Sequence, residues 1–391
     1  MRECCVDGDG AYGFYSLDLL RGEPHSPGLD YQALALQDMY SQIQVLRRQY
    51  GKAVTYAKGA ISVLLDMEEA NITTTASHGM SISELRNVFL DLETRLCRVG
   101  QPIPYLALNF QKAIQNMPPM KKNCPTVTPF HTVTDANDEL QKLRQQIMLQ
   151  SMRISSMTNG DKRFPIPLTQ HTILQGNYNL EERFGVWHKY FKAMLADADA
   201  MAALTDNERR GLQLVEIHYA SAIQVLEVLL DPSELCWDRF RVQHSNLVEL
   251  TARFFEADDK VGRTPSSRRR LTLDYGLIPT MFYVGWKCRH ARVRLAVIEL
   301  LERYPRIESV WDSEVIADLC RRIDRIERGP GETLEQAAAR DAPASEIPEE
   351  ARVLYVGCLW SGVGRSFVAR MMIPGKDPTL PFIPIDEELS W

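Results

Sequence analysis

The chain reads as an all-α protein, a multi-helix domain with a short β-hairpin near its C-terminal end. Three observations predict this. Apolar side chains recur at helical spacing through most of 31–328, Pro and Gly gather between those periodic stretches, and β-favouring residues cluster only beyond 351. With 391 residues, 45% of them hydrophobic and 25% charged, the chain can bury a large core and has the make-up of a globular protein.

In chain order, 1–30 mixes Gly, Pro, Asp and Ser without a period and is read as irregular. Helical spacing follows over 31–67, where Leu34, Met39, Ile43 and Leu46 share a side and Val54, Ala57, Ile61 and Leu64 continue the pattern. Ser81 and Glu84 form a capping box that opens a helix to Cys97. Prolines at 102, 104, 118, 119, 125 and 129 leave one helix near 105–115 and a Pro-rich break near 118–130. Residues 135–152 are polar and Gln-rich, which predicts a solvent-facing helix, and Asn159-Gly160-Asp161, Pro165 and Pro167 interrupt the chain after it.

The best-formed helix opens at Thr205, where Glu208 completes a capping box, and runs to Leu230 before Asp231-Pro232. Leu212, Val215, Tyr219, Ala222, Ile223, Leu226 and Leu229, widened by Leu214, Ile217, Val225 and Val228, predict burial on more than one side. Two helices then flank a charged break at Lys287, Cys288 and Arg289. One begins at Pro279; the other sets Val293, Ala296, Val297, Leu300 and Leu301 on one side and ends at Pro305. Asp312 caps a further helix that Gly329-Pro330-Gly331 terminates. The Ala-rich, acidic stretch 329–350, with Pro343 and Pro348, reads as a mobile linker. The remainder, 351–391, reads as a β appendage and tail, with strands over 352–360 and 365–372 around a turn at Ser361-Gly362-Val363-Gly364.

Composition narrows the function. A formal net charge of −6 argues against an autonomous nucleic-acid binder, whose affinity rests on neutralising phosphates with basic side chains, so no direct nucleic-acid contact is expected. Eight cysteines, scattered along the chain apart from the adjacent Cys4 and Cys5, fit a reducing compartment. The N-terminal residues lack the apolar core of a signal peptide, and charges interrupt every apolar run, so no membrane partner is expected.

Motifs of catalysis are missing: there is no His pair at metal-binding spacing on a helix, no nucleophile elbow, and no phosphate loop ending in Gly-Lys-Ser/Thr. No catalytic residue, cofactor or metal is assigned. His218 and Glu216 are two apart on a helix and point in different directions, so they form no local dyad. Trp187, His188, Tyr190 and Phe191, and Trp237, Phe240, Phe254 and Phe255, are aromatic groups that suit a core; a small-molecule cavity between helices is the alternative. Arg321, Arg322, Arg325 and Arg328 read as a helix face salt-bridged with Asp318 and Asp324. Arg268, Arg269 and Arg270 read as a solvated loop or a nuclear-import signal.

The most informative segment is 274–312, DYGLIPTMFYVGWKCRHARVRLAVIELLERYPRIESVWD. Its Asp274, Gly276, Ile278, Pro279, Tyr283, Lys287, Cys288, Arg289, Arg294, Ala296, Leu300, Leu301, Pro305, Arg306, Glu308, Trp311 and Asp312 resemble the pattern of the C-terminal regulatory domain of fungal-specific transcription factors. Leu34-Ala35-Leu36-Gln37 with Ile43, and Cys236-Trp237-Asp238 with Phe240, are similar more weakly. The resemblance implies a helical regulatory domain over 31–328 that controls transcription of a metabolic or secondary-metabolite gene set in the nucleus. The family also carries a binuclear zinc cluster, built on six closely grouped cysteines. Here Cys4 and Cys5 are adjacent and Cys97, Cys124, Cys236, Cys288, Cys320 and Cys358 stand apart, so that cluster is not expected.

Without it, the resemblance implies action through protein partners: a DNA-bound transcription factor or a second copy of the chain, with a small-molecule effector as a further partner class. Within the segment, a helical hairpin would bring Lys287, Arg289 and Arg294 to Asp274, Glu308 and Asp312, with Trp286 and Trp311 filling the space between. The contrasting reading is a helical scaffold turned to enzymatic work or small-molecule binding in specialised metabolism. A third takes the chain as a piece of a longer factor.

Overall fold

The computed structural model describes residues 130–157, 171–261, 270–272, 276–308, 311–360, 366–377 and 380–390. The chain divides into two compact units, Met1–Arg98 with Trp360–Arg365 and Val99–Leu359 with Ser366–Trp391. The elements below, apart from the last residue of one strand, belong to the second unit. The expected helices before residue 130, the break at 159–167, Arg268, Arg269, Asp274 and the turn at 361–364 lie outside the described residues.

Three long helices assemble first: α1 (Val133–Met157), α2 (His171–Ala196) and, after the short α3 (Ala198–Ala203), α4 (Asp206–Glu227). Thr132 and Asp135 open α1 reciprocally, the Asp135 amide donating to Thr132 Oγ1 and the Thr132 amide to Asp135 Oδ2, each at 3.0 Å. The polar composition of α1 predicts a solvent-facing helix, and the structure corrects this. Ala136, Leu140, Leu143, Ile147 and Ile154 form a stripe buried against Ile173, Leu180, Phe184 and Trp187 of α2 and Val215, Ala222 and Leu226 of α4. One apolar residue per turn suffices when it recurs on one face, and the glutamines fill the other positions. Gln150, itself buried, donates to the Ile173 carbonyl at 2.7 Å. The Thr205–Glu208 box forms on α4 as the sequence predicts. The helix stops at Glu227, short of Leu230, because 228–230 form a turn ahead of Asp231-Pro232.

A 3-10 turn, Glu234–Phe240, capped by Ser233, runs directly into α5 (Arg241–Val261), which packs on α4. Next come α6 (Ile278–Lys287), with Pro279 in its first turn, α7 (Ala291–Arg303), and α8 (Ser313–Arg328), where the Asp312 side chain accepts from the Glu314 amide and Gly329 at φ 72° closes the helix. A small sheet sits among them: β1 (Arg270–Thr272) lies parallel to β2 (Arg306–Glu308), and β2 antiparallel to β3 (Trp311–Asp312).

Residues 329–350 are not a linker in structure. They hold α9 (Leu334–Ala339), opened by a Thr333–Gln336 capping box, and two 3-10 turns at Ala344–Glu346 and Glu349–Ala351, with Ala337, Ala338, Ala342 and Ile347 buried. The alanines that gave a low-complexity look are the small side chains that let α9 approach α7, where Arg292 Nε donates to the Ala338 carbonyl at 3.2 Å.

The C-terminal sheet has three strands in the order β4 (Tyr355–Trp360), β5 (Ser366–Asp377) and β6 (Leu380–Ser390). The two strands expected around 361–364 are present, and a third extends the hairpin. β5 and β6 run antiparallel from Ser366↔Ser390 to Asp377↔Leu380. Pro381 and Pro384 hid β6 in the sequence; at the edge of a sheet a proline forfeits no ladder bond on its outer side. Among the described residues, no helix is long and apolar enough to cross a membrane.

Candidate functional site

The side chains singled out by the segment 274–312 converge on the junction between α6 and α7. Cys288 ends α6 in extended backbone, and three residues later α7 begins with His290 as its N-cap. Cations follow one another there, and nearly all are buried. Lys287 Nζ lies 2.8 Å from Glu234 Oε1 and 3.9 Å from the centre of the Trp286 ring. Arg289 reaches Glu234 Oε2 at 3.0 Å and Glu327 Oε1 at 3.1 Å, and donates to the Lys287 carbonyl at 3.0 Å. Arg294 spans Asp324 at 2.8 Å and Glu327 Oε2 at 2.7 Å while its Nε donates to the carbonyls of Gly285 and Cys288. The Val353 amide donates to Glu327 Oε1 at 2.8 Å. Beside this set, Arg352 grips Asp238 with both terminal nitrogens, at 2.8 and 2.7 Å, and donates to the carbonyls of Ala344 and Ile347.

The network therefore ties the 3-10 turn, the α6–α7 junction, α8 and the chain entering β4 into one body. Taking such charges out of water is costly, and it is tolerable only because each guanidinium and carboxylate is multiply bonded. Burial pushes the Glu327 carboxyl up, but Arg289 and Arg294 outweigh it and hold the group below the usual carboxylate range. Burial likewise opposes charge on Arg294, and Glu327 and Asp324 more than restore it.

Cys288 and Cys320 border the network, and burial pushes their thiols up to about 11 and about 12, so both remain protonated and pack as small hydrophobes. Gly285 makes room here: a Cβ at that position would stand 2.6 Å from Cys320 Sγ. Among the described residues, no three metal-ligating side chains converge.

The pairing expected from sequence is corrected. Lys287, Arg289 and Arg294 pair with Glu234, Asp324 and Glu327, and the expected partners Glu308 and Asp312 are engaged elsewhere. Glu308 instead faces the start of α6, its Oε2 accepting from the Ile278 amide at 2.6 Å, and Gly276 leaves it space, since a Cβ there would stand 2.2 Å from Glu308 Cδ. Asp312 serves as the α8 cap, and Asp274 lies outside the described residues. Trp286 and Trp311 both pack on Phe282, at centroid distances of 5.8 and 5.6 Å, and Trp286 Nε1 donates to the Val353 carbonyl at 2.8 Å. Pro305 is exposed just past the end of α7.

Other candidates sort as follows. His218 Nε2 sits 3.1 Å from the Gly276 carbonyl, a long-range contact and not a dyad with Glu216. On α8, Arg321 pairs with Glu302, Arg322 with Asp318 at 3.1 Å and Glu387 at 2.6 Å, and Arg328 with Asp324 at 3.1 Å. Of the basic run, Arg270 lies in β1 opposite Arg306. Trp187, Tyr190 and Phe191 belong to the core cluster of α1, α2 and α4, and Trp237 and Phe240 to a smaller one.

Sequence reasoning missed Glu234, Glu327 and Arg352. Glu327 had a readable signal: on α8 the apolar face of Ile316, Leu319, Cys320 and Ile323 continues into Asp324 and Glu327, acids standing where helical spacing calls for apolar residues.

No family model and no solved structure matches the chain. Over 96 residues it is 38% identical to the aspercryptin biosynthesis cluster-specific transcription regulator of Emericella nidulans, a stretch covering 24% of this chain and 15% of that protein. The match thus takes in well under two thirds of the relative's length. Over that stretch, the chain is related to a fungal cluster-specific transcription regulator.

Proposed function

We propose that the chain is a transcription regulator of fungal type that controls a secondary-metabolite gene set in the nucleus and acts through protein partners. A DNA-bound factor is the first candidate partner and a second copy of the chain the next. The observation that carries this reading is the 38% identity over 96 residues to a cluster-specific regulator. The ionic junction supports it physically: Lys287, Arg289 and Arg294 are all engaged in holding helices together, which is the chemistry of a rigid scaffold. A net charge of −6 favours a route to DNA through another molecule.

Deleting the gene in its own cells and measuring all transcripts tests the reading. The expected result is a coordinated change in one contiguous group of biosynthetic genes, with the chain recovered from nuclei together with a DNA-bound factor. Unchanged transcription of every such group, or turnover of a metabolite by the purified chain, overturns it.

A further inference from the structure

The ionic junction is closed inside and carries apolar side chains on its outer side. Lys287 Nζ holds two stretches of chain at once, reaching the Glu234 carboxylate at 2.8 and 3.0 Å and the Leu354 carbonyl at 3.4 Å. Arg289 Nη2 repeats the bridge, between Glu234 Oε2 at 3.0 Å and the Val353 carbonyl at 3.3 Å, and Arg352 Nη1 donates to the Glu234 carbonyl at 2.9 Å. The start of the 3-10 turn and the chain entering β4 are thereby held side by side. Leu235 and Tyr355, each the residue after a group that Lys287 holds, are 46% and 39% exposed. Cys236, Trp286 and Leu354 beside them are half-buried. Trp286 is fixed from two directions, its Nε1 donating to the Val353 carbonyl at 2.8 Å and its ring centre lying 3.9 Å from Lys287 Nζ.

A single exposed apolar side chain is common and needs no explanation. Here leucine, tryptophan and tyrosine from the 3-10 turn, α6 and β4 meet over a base that the ion pairs make rigid, and that is the make-up of an interface centre. The edge of the patch is acidic. Ser233 Oγ and the Glu234 amide both donate to Glu349 Oε1, at 2.6 and 3.0 Å, and Asp231 Oδ1 accepts from the Ser233 amide at 3.0 Å. Glu350 follows Glu349 and is exposed. Among the described residues, no cation pairs with Asp231, Glu349 or Glu350: Arg239, the exposed cation of the turn, lies against Glu227 at 3.8 Å, and Arg352 is spent on Asp238. On the neighbouring stretch the acids are matched, since Arg340 grips both Glu332 and Glu346.

We propose that Leu235, Trp286, Leu354 and Tyr355, edged by Asp231, Glu349 and Glu350, form a docking surface for a segment of a protein partner whose apolar side chains are flanked by lysine or arginine, as on a basic amphipathic helix. Apolar contact supplies the grip, and the unmatched acids supply the preference in charge. A second copy of the same surface would set acid against acid, which leaves a different, basic protein as the occupant. The surface deepens the proposed function by giving its partner a place to dock, and the choice of partner rests on that reading. A DNA-bound factor suits it, because neutralising phosphates requires clustered basic side chains.

The test is titration of the full chain with a designed helical peptide in which leucines recur at helical spacing and lysines fill the other positions, beside a version with glutamates in place of the lysines. The lysine peptide is expected to bind and the glutamate peptide to fail. Leu235→Ser with Tyr355→Thr is expected to weaken binding about tenfold or more at an unchanged urea midpoint; Leu235→Ser alone is measured beside it, so that a fold disturbed in β4 does not decide the result. Glu349→Gln with Glu350→Gln is expected to weaken it about threefold and to flatten its salt dependence. Leu174→Ser with Tyr178→Ser, at an exposed apolar pair on α2, is expected to change nothing. Equal affinity for the two peptides, or an equal loss in the α2 variant, overturns the surface. In its own cells, a photoreactive side chain at position 235 is expected to cross-link to a lysine- or arginine-flanked segment of another protein, and a cross-link to a second copy of the chain overturns the surface. The Leu235 and Tyr355 double variant is also expected to reproduce the transcript change caused by gene deletion. Parental transcripts in that variant, where deletion changes them, overturn the surface and leave the regulator standing; deletion without effect, with peptide binding intact, overturns the regulator and leaves the surface.

Discussion

Trp187 and three arginines, Arg289, Arg294 and Arg352, are the bulkiest fully buried side chains among the described residues, and they mark two regions built on opposite physics. Around Trp187, α1, α2 and α4 close an aromatic core in which its ring stacks on Phe191 at 4.7 Å and Tyr219 at 5.0 Å. Around the arginines, α6, α7 and α8 close over ion pairs. An apolar interior loses stability in proportion to the volume and contact removed. An ionic interior fails in steps, because deleting one member leaves its partners charged, buried and short of bonds. The junction is thus the more sensitive region per atom changed, although its net contribution to stability is the smaller of the two.

Arg294→Ala breaks the comparison most directly. Asp324 keeps Arg328 and Glu327 keeps Arg289, but each loses a bond shorter than 3 Å, and the carbonyls of Gly285 and Cys288 lose their donor. A loss of about 4 kcal/mol is expected, read as a lower urea midpoint. A loss under about 1 kcal/mol would show that the network is solvated and behaves as a surface pair.

Two buried groups between these regions give the next effect, through pH. Burial first, then Arg289, press the His244 imidazole down to about 4. Its folded value lies below the ordinary one near 6.5, so its contribution is present above about 6.5 and is lost as pH falls toward 4. Burial pushes the Glu308 carboxyl up to about 7 against the opposing Ile278 amide and Arg306, so its contribution is present below about 4.5 and is lost as pH rises through 7. Each amounts to about 3 kcal/mol, and over the shared interval they oppose one another. Glu308→Gln is expected to leave a stability that rises with pH between 4 and 6.5, and His244→Leu one that falls between 4.5 and 7. Parallel profiles for the two variants, in chemical denaturation at stepped pH, would remove these groups from the account.

Trp187→Phe probes the aromatic side and is expected to cost about 2 kcal/mol, part from lost volume and part from the bond that Trp187 Nε1 makes to the Ala136 carbonyl at 3.0 Å. If it cost more than Arg294→Ala, the contrast between the two interiors would be reversed.

What could be read from the sequence follows the same division. Helix ends are local chemistry, and Thr205 with Glu208, Pro279, Asp312 and Gly329 announced theirs correctly. Trp187 and Phe191 of α2 were legible as core because helical spacing alone puts them on one face, and Phe184 of the same face was passed over. The ionic partners were not legible: Glu234 lies 55 residues from Arg289 and Glu327 lies 33 from Arg294, and no periodicity links positions that meet only after folding. The nearer acids, Glu308 and Asp312, drew the wrong pairing because both are spent on backbone amides at helix starts. The stretch 329–350 failed for a related reason: alanine content looks alike in a linker and in a tight helix contact, and only the facing α7 decides between them.

The smallest expected effect separates local from tertiary stabilisation within the aromatic region. Thr205 caps α4 from an exposed position, its Oγ1 accepting from the Glu208 amide at 3.3 Å and Glu208 Oε2 accepting from the Thr205 amide at 2.8 Å. Thr205→Ala removes one half of that box and should cost about 1 kcal/mol. Because the cap lies at the far end of α4 from Leu226, the loss should surface as faster amide exchange in 206–209 while the amides around Leu226 keep their protection. Uniformly faster exchange along α4 would mean that the cap and the aromatic core open as one cooperative unit, and that the local and tertiary contributions are not separable in this helix.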